Sequence, residues 1–319
     1  MLTLKDIQAA RERIAPHIVR TPLLRVPALD DLLGCEVYLK PENLQYTGSF
    51  KLRGALSRLL TLTEEEKKRG VVCASSGNHA QGVAYGAQKL GINALIVMPS
   101  NCNPVKLQGV ESYGAQAILA GTKSSERDAK VAEIIEKEGR TEIHPFSNFE
   151  VKAGQGTMGL EILEDQPDLD VVVVPIGGGG MISGIATAVK SLKSEIQVIG
   201  MEPAGAPRYT KSREAGHPIK LDEVNTIADG TRTDAAHPQN FPIIEKYVDH
   251  LITIEDDWIK KAMKVIISHG KIVVEPSSVM GIGAALAGTL PVNRTNKVCF
   301  VLSGGNNDLN QLAEILSQS

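Results

Sequence analysis

The sequence predicts an α/β protein organised as two domains on parallel sheets, and three observations carry that expectation. Short apolar runs such as Val71–Ala74 end in small, polar or glycine-rich turns and lead into helix-length stretches, the alternation expected of a parallel sheet with crossover helices. The 30 glycines against only 4% aromatic residues suit tight turns between strand and helix. A length of 319 residues supports a large core and normally divides into two domains.

Along the chain, Thr3 and Asp6 form a capping box that opens an amphipathic N-terminal helix. Residues 37–39 read as a first strand. Strands follow at Val71–Ala74, Ala94–Met98 and residues 117–120, so residues 70–147 are expected to form a small separate domain. The larger sheet is expected to combine residues 37–39 with strands at 171–176, 197–201 and 298–302, giving a large domain of residues 1–69 and 148–319. Before the last strand, Ile259, Ala262, Met263 and Ile266 repeat at helical spacing as a core stripe, and Gly270 after His269 predicts the helix stop.

The net charge of −3 favours neither nucleic acid nor an anionic membrane as partner. Four cysteines, Cys35, Cys73, Cys102 and Cys299, lack metal-type spacing and read as reduced, mostly buried thiols. No apolar run reaches membrane-spanning length and the N-terminus lacks a signal-peptide core, so a cytoplasmic protein is expected.

Four segments carry chemistry. Residues 47–56, Thr-Gly-Ser-Phe-Lys-Leu-Arg-Gly-Ala-Leu, place Lys51 at the mouth of a small-residue loop, where a desolvated amine can bond an aldehyde cofactor. Ser75-Ser76-Gly77-Asn78-His79 follows a strand and opens a helix, whose free N–H groups can meet an anion or a ring substituent. Gly177-Gly178-Gly179-Gly180-Met181 follows a continuous apolar strand and lets backbone amides wrap a phosphate, although a purely structural glycine turn is the alternative. Its spacing fits neither a dinucleotide fingerprint nor a P-loop, so a single monophosphate is the better guest. The fourth segment, Ser303-Gly304-Gly305-Asn306, is a small polar turn after a strand, with Ser303 alternatively capping the next stretch of chain. In open sheets ligands bind beyond the carboxyl ends of strands, where the glycine loop and the Ser303 turn both fall.

Together these segments resemble, over nearly the whole chain, the serine racemase and threonine dehydratase branch of the fold-type II pyridoxal-phosphate enzymes, whose fold is that of the tryptophan synthase β-like group. The resemblance implies pyridoxal 5'-phosphate as cofactor, with Lys51 as Schiff-base lysine and Phe50 against the ring. Asn78 would meet the ring hydroxyl, Gly177, Gly178, Gly179, Gly180 and Met181 would cradle the phosphate, and Ser303 would face the pyridine nitrogen. It further implies Ser75 and Asn78 at the substrate carboxylate, with His79 close by and Arg127 reaching the substrate. His79 merely capping its turn and Arg127 lying exposed on a helix are the alternatives.

A small hydroxy amino acid is the implied substrate, with Lys51 as general base for loss of the β-hydroxyl: dehydration of L-threonine or L-serine to a 2-oxo acid and ammonia. A neutral serine at the ring nitrogen weakens the electron sink, which suits elimination and racemization better than transamination. Ser76, which could reprotonate Cα from the face opposite Lys51, keeps serine racemase with side dehydratase activity open, and 3-hydroxyaspartate ammonia-lyase is a further alternative. A non-catalytic cofactor-binding sensor would retain the phosphate loop but lose Lys51, Ser76 or Asn78, and all three are present.

The racemase-like pattern also implies a divalent cation such as Mg2+, held here by Glu202 and the Ala206 carbonyl, yet Arg208 stands where an acidic ligand is expected. Two more departures concern specificity: Phe146 occupies a place that is polar in mammalian-type racemases, and Thr231-Arg232-Thr233-Asp234 replaces a Ser-Ser turn. The resemblance implies a homodimer.

Overall fold

A computed structural model of the protein describes residues 1–75, 77–102 and 104–317. Ten strands occur among these residues: β1 Leu24–Arg25, β2 Glu36–Pro41, β3 Val71–Ala74, β4 Ala94–Met98, β5 Gln116–Leu119, β6 Thr141–Glu142, β7 Val171–Pro175, β8 Gln197–Pro203, β9 His250–Ile254 and β10 Lys297–Leu302. They build a six-stranded sheet in the order β1-β2-β10-β7-β8-β9 and a four-stranded sheet in the order β5-β4-β3-β6. Every pairing is parallel except that of β1 with β2.

The continuous apolar run of β7 follows from burial on both faces, since helices cover a parallel sheet above and below. The two-residue side-chain period divides each strand between two cores. Val171, Val173, Val298 and Phe300 join one cluster with the helix Asp256–Val265, whereas Val172, Val174, Cys299 and Val301 join another with the helix Gly180–Leu192. The small sheet repeats the pattern, with Cys73 and Ile96 on one face and Val72 and Val97 on the other.

The α/β expectation with parallel sheets therefore holds, and the N-terminal capping box is present, Thr3 accepting from the Asp6 amide. The strands β1, β6 and β9 were not foreseen: β1 and β6 are two residues long, and β9 is an edge strand without a continuous apolar run. The helical stretch does end at Gly270, but not through a left-handed glycine. The helix gives way to a π-turn over Ile266–Gly270, and Lys271 takes the left-handed position at φ 58°. Gly270 serves close approach instead, because a Cβ there would lie 2.6 Å from Ile266 Cδ1.

Candidate active site

The carboxyl ends of β3, β7 and β10 open onto one cleft of about 1160 Å³ between the two sheets. Its lining includes Phe50, Lys51, Ser75, Asn78, His79 and Arg127, together with Gly177, Gly178, Gly179, Gly180, Met181 and Ser303. Ser76 lies outside the described residues, so its place across from Lys51 is not part of this geometry.

Lys51 opens the helix Lys51–Leu59, and its Nζ donates to the Pro145 carbonyl at 3.1 Å and stands 5.1 Å from the centre of the Phe50 ring. Burial pulls its amine down to about 8, against the opposing charge of Glu275. The segment before it is pinned to the Ser303 turn: Phe50 N–H donates to Ser303 O at 3.0 Å, and Gly305 N–H donates to Gly48 O at 2.9 Å. The Ser303 hydroxyl is 3.0 Å from Ser278 Oγ, which itself donates to Gly304 O at 2.8 Å.

Asn78 begins the helix Asn78–Leu90 and donates through Nδ2 to both Glu275 oxygens at 3.0 Å, while its Oδ1 accepts from Asn306 at 2.8 Å. Glu275 is buried, and that burial, with Asp229 adding like charge, pushes its carboxyl up to about 7. His79 is buried, with Nε2 2.7 Å from Ile143 O, and burial with the nearby Lys51 charge holds its pKa down to about 3. His79 is thus a neutral imidazole tied to the backbone. Ser75 Oγ accepts from the Gly77 amide at 3.3 Å. Arg127 borders the cleft, but its guanidinium donates to Thr122 O and Ser124 Oγ at its own helix start.

The glycine loop is clamped from behind. Arg208 donates to the carbonyls of Ile176 at 2.5 Å and Gly177 at 2.8 Å, and Tyr209 and Asn240 donate to the Gly178 carbonyl at 2.9 and 2.7 Å. In a trans peptide the C=O and the following N–H point in opposite directions, so these anchors turn the amides of Gly177, Gly178 and Gly179 toward the cleft. A Cβ at Gly178 would lie 2.2 Å from the Phe146 ring, and Gly179 sits at φ 83° with Tyr209 Oη 2.4 Å from where its Cβ would be. Only glycine keeps this loop clear at the start of the helix Gly180–Leu192, where free backbone amides could meet an anion.

Glu202 and the Ala206 carbonyl lie behind this loop with the Arg208 guanidinium between them, 2.6 Å from Ala206 O and 3.7 Å from Glu202. Among the described residues no group of three or more His, Cys, Asp or Glu side chains is arranged to hold a metal ion. All four cysteines are free thiols, Cys35 and Cys299 pushed up to about 12 by burial.

Sequence reasoning missed Glu275, Ser278, Tyr209 and Asn240. The first two sit in Glu275-Pro276-Ser277-Ser278 directly after the apolar run Ile272-Val273-Val274, the same strand-then-polar-turn signal that singled out Ser303. Tyr209 and Asn240 carry no local signal, because their role is set by a carbonyl more than thirty positions away.

The family described as "Pyridoxal-phosphate dependent enzyme" matches residues 14–304. The chain is 42% identical to the L-threonine ammonia-lyase of Thermotoga maritima over 318 residues, which is 100% of this chain and 79% of that protein. It is 39% identical to the catabolic L-threonine dehydratase of Escherichia coli, over 98% of this chain and 96% of that protein. Among solved structures, maize serine racemase superposes with a TM-score of 0.94 at 37% identity, covering 98% of this chain and 96% of that one.

Proposed function

This chain belongs to the pyridoxal-phosphate dependent enzymes, and from that premise we propose that it is an ammonia-lyase converting L-threonine and L-serine to a 2-oxo acid and ammonia. One observation carries the reading: a desolvated lysine amine lines the same cleft as the glycine loop. The residues present fit the cofactor. Gly177 to Gly180 and Met181 would hold its phosphate, Phe50 and Asn78 its ring, Ser303 its nitrogen and Lys51 its aldehyde carbon. When bound, the cofactor draws electrons from Cα and so acidifies the Cα proton.

Lys51 then takes that proton as general base, and burial has already brought its amine into the range where such transfer is efficient. The Cβ–O bond breaks as the hydroxyl takes back a proton from the Lys51 ammonium and leaves as water, and the unsaturated amine, once released, takes up water to give ammonia and the 2-oxo acid. Ser303, being neutral, would not fix a positive charge on the ring nitrogen of a bound cofactor, which would favour prompt loss of the β-hydroxyl. Ser75 and Asn78 would orient the substrate carboxylate, with His79 close by and Arg127 near its distal end. Phe146, pressed onto the glycine loop, gives that side of the cleft an apolar wall suited to the threonine methyl.

Serine racemization is the second reading, supported by Ser76 in the sequence and by the likeness to maize serine racemase. We also assign residues 1–69 and 148–319 to a large domain and 70–147 to a small one, and a dimer in the cytoplasm as the working form; gel filtration and domain-wise proteolysis test these. No helix among the described residues is long and apolar enough to cross a membrane.

The deciding experiment incubates cofactor-loaded protein with L-threonine, L-serine or 3-hydroxyaspartate, measures 2-oxo acid and D-amino acid together, and uses Lys51→Ala as blank. Dominant 2-oxo acid from threonine and serine supports the ammonia-lyase. D-serine formed as fast, and lost in Ser76→Ala, makes the racemase primary; preference for hydroxyaspartate changes the substrate, and no product sinks all three.

A further inference from the structure

Behind the glycine loop, Glu202 and the Ala206 carbonyl form two sides of a small polar enclosure that resembles a cation site, and Arg208 fills it. Both charged side chains are fully buried. The guanidinium donates to Ala206 O at 2.6 Å, to Ile176 O at 2.5 Å and to Gly177 O through both Nη2 at 2.8 Å and Nε at 3.1 Å. Glu202 is occupied as well: its oxygens accept from the Tyr209 and Thr210 amides at 2.9 and 2.8 Å and from the Thr210 hydroxyl at 2.8 Å. It therefore caps the helix Arg208–Ala215 and balances the Arg208 charge.

A divalent cation needs several oxygens free to approach within roughly 2.0–2.6 Å. Here those oxygens already accept N–H bonds, and a guanidinium, which keeps its proton at any working pH, stands at the centre. The residues do not fit a metal. We propose that Arg208 is a built-in replacement for a divalent cation: it neutralises Glu202, gathers the Ala206, Ile176 and Gly177 carbonyls, and so sets the loop that would hold the cofactor phosphate. Arg208 is thus a positioning residue acting through the backbone, and the holoenzyme needs no divalent cation for stability or for cofactor binding. This rests on the phosphate-holding role of the loop and is independent of which amino acid is the substrate.

The test uses holoenzyme treated with EDTA and then given Mg2+, Ca2+ or Mn2+ at millimolar level, reading melting temperature and cofactor dissociation constant. Wild type is expected to change in neither, while Arg208→Lys, which keeps the charge but loses the forked donors, should bind cofactor roughly tenfold more weakly, the size of one lost charged hydrogen bond. Arg208→Asp places a carboxylate beside Glu202 and should gain a melting-temperature rise with a divalent cation that wild type lacks. Should that variant not fold, Arg208→Lys and the wild-type titration still decide. A stabilisation of wild type by any of the three cations, or unchanged cofactor affinity in Arg208→Lys, overturns the proposal. Failure of the protein to take up cofactor at all would instead overturn the functional reading, and the melting-temperature titration would still judge the cation.

Discussion

Lys51 and Glu275 set the pH behaviour of the cleft between them. The amine must be neutral to bond an aldehyde, and burial lowers its pKa from 10.5 to about 8, so capture of pyridoxal phosphate by the apo-protein should quicken as pH rises through about 8 and level off above it. Glu275, itself raised to about 7, becomes an anion over the same range, and its charge opposes the fall in the lysine pKa. Glu275→Gln keeps the shape and a partner for Asn78 but removes that charge, so the midpoint of capture should move below that of wild type. Stopped-flow absorbance of cofactor uptake from pH 6 to 11 measures both midpoints. A wild-type midpoint near the ordinary lysine value, or an unmoved midpoint in Glu275→Gln, would contradict the desolvation argument.

The glycine loop shows what one methyl group does to an element. Phe146 occupies the space a Gly178 side chain would need, 2.2 Å from the Cβ position, so Gly178→Ala must push back either the ring or the loop. Overpacking of this kind costs about 1–3 kcal/mol, which at the cradle should weaken cofactor binding by roughly ten- to hundredfold while leaving the fold intact. Shrinking the obstacle in the double variant with Phe146→Ala should recover part of that loss; equal affinity of Gly178→Ala and wild type in a cofactor titration would refute the packing account. Elements of this kind were the legible part of the sequence. β3, β7 and β10 each announce themselves as apolar runs ending in small residues, and the cleft gathers the turns that follow them. The hidden part depends on tertiary partners: Glu275 meets Asn78 across 197 positions, and Tyr209 and Asn240 bind a carbonyl that no local pattern marks. The helical end at Gly270 was legible but not its form, since the stretch closes as a π-turn and the left-handed residue is Lys271.

At the scale of the molecule, a buried charge network behind Lys51 ties the strand β2 to two helices. Arg53 pairs with Glu42 at 2.8 Å and Glu161 at 2.6 Å, and Lys40 pairs with Glu161 at 2.5 Å, all essentially out of water. Thr21 and Thr157 complete it, donating to Glu42 and accepting from Arg53 respectively, so two cations and two anions are balanced and hydrogen-bonded. Such a set need not be more stable than an apolar equivalent, but removing one member leaves a buried charge unpaired, at a cost of about 3–5 kcal/mol. Arg53→Met should therefore lower the melting temperature by on the order of 10 °C. Replacing all four charged residues together, Lys40 and Arg53 by Met and Glu42 and Glu161 by Gln, should cost less than the four single variants summed. Because Arg53 lies two residues after Lys51 on the same helix, Arg53→Met should also slow turnover more than it weakens cofactor binding, the lysine being misaimed while the glycine loop is left intact. Thermal melts of the singles and the quadruple variant decide the first point: strictly additive losses would mean that each pair stabilises on its own account, and the helix carrying Lys51 would then be held by packing against its neighbours and not by charge balance.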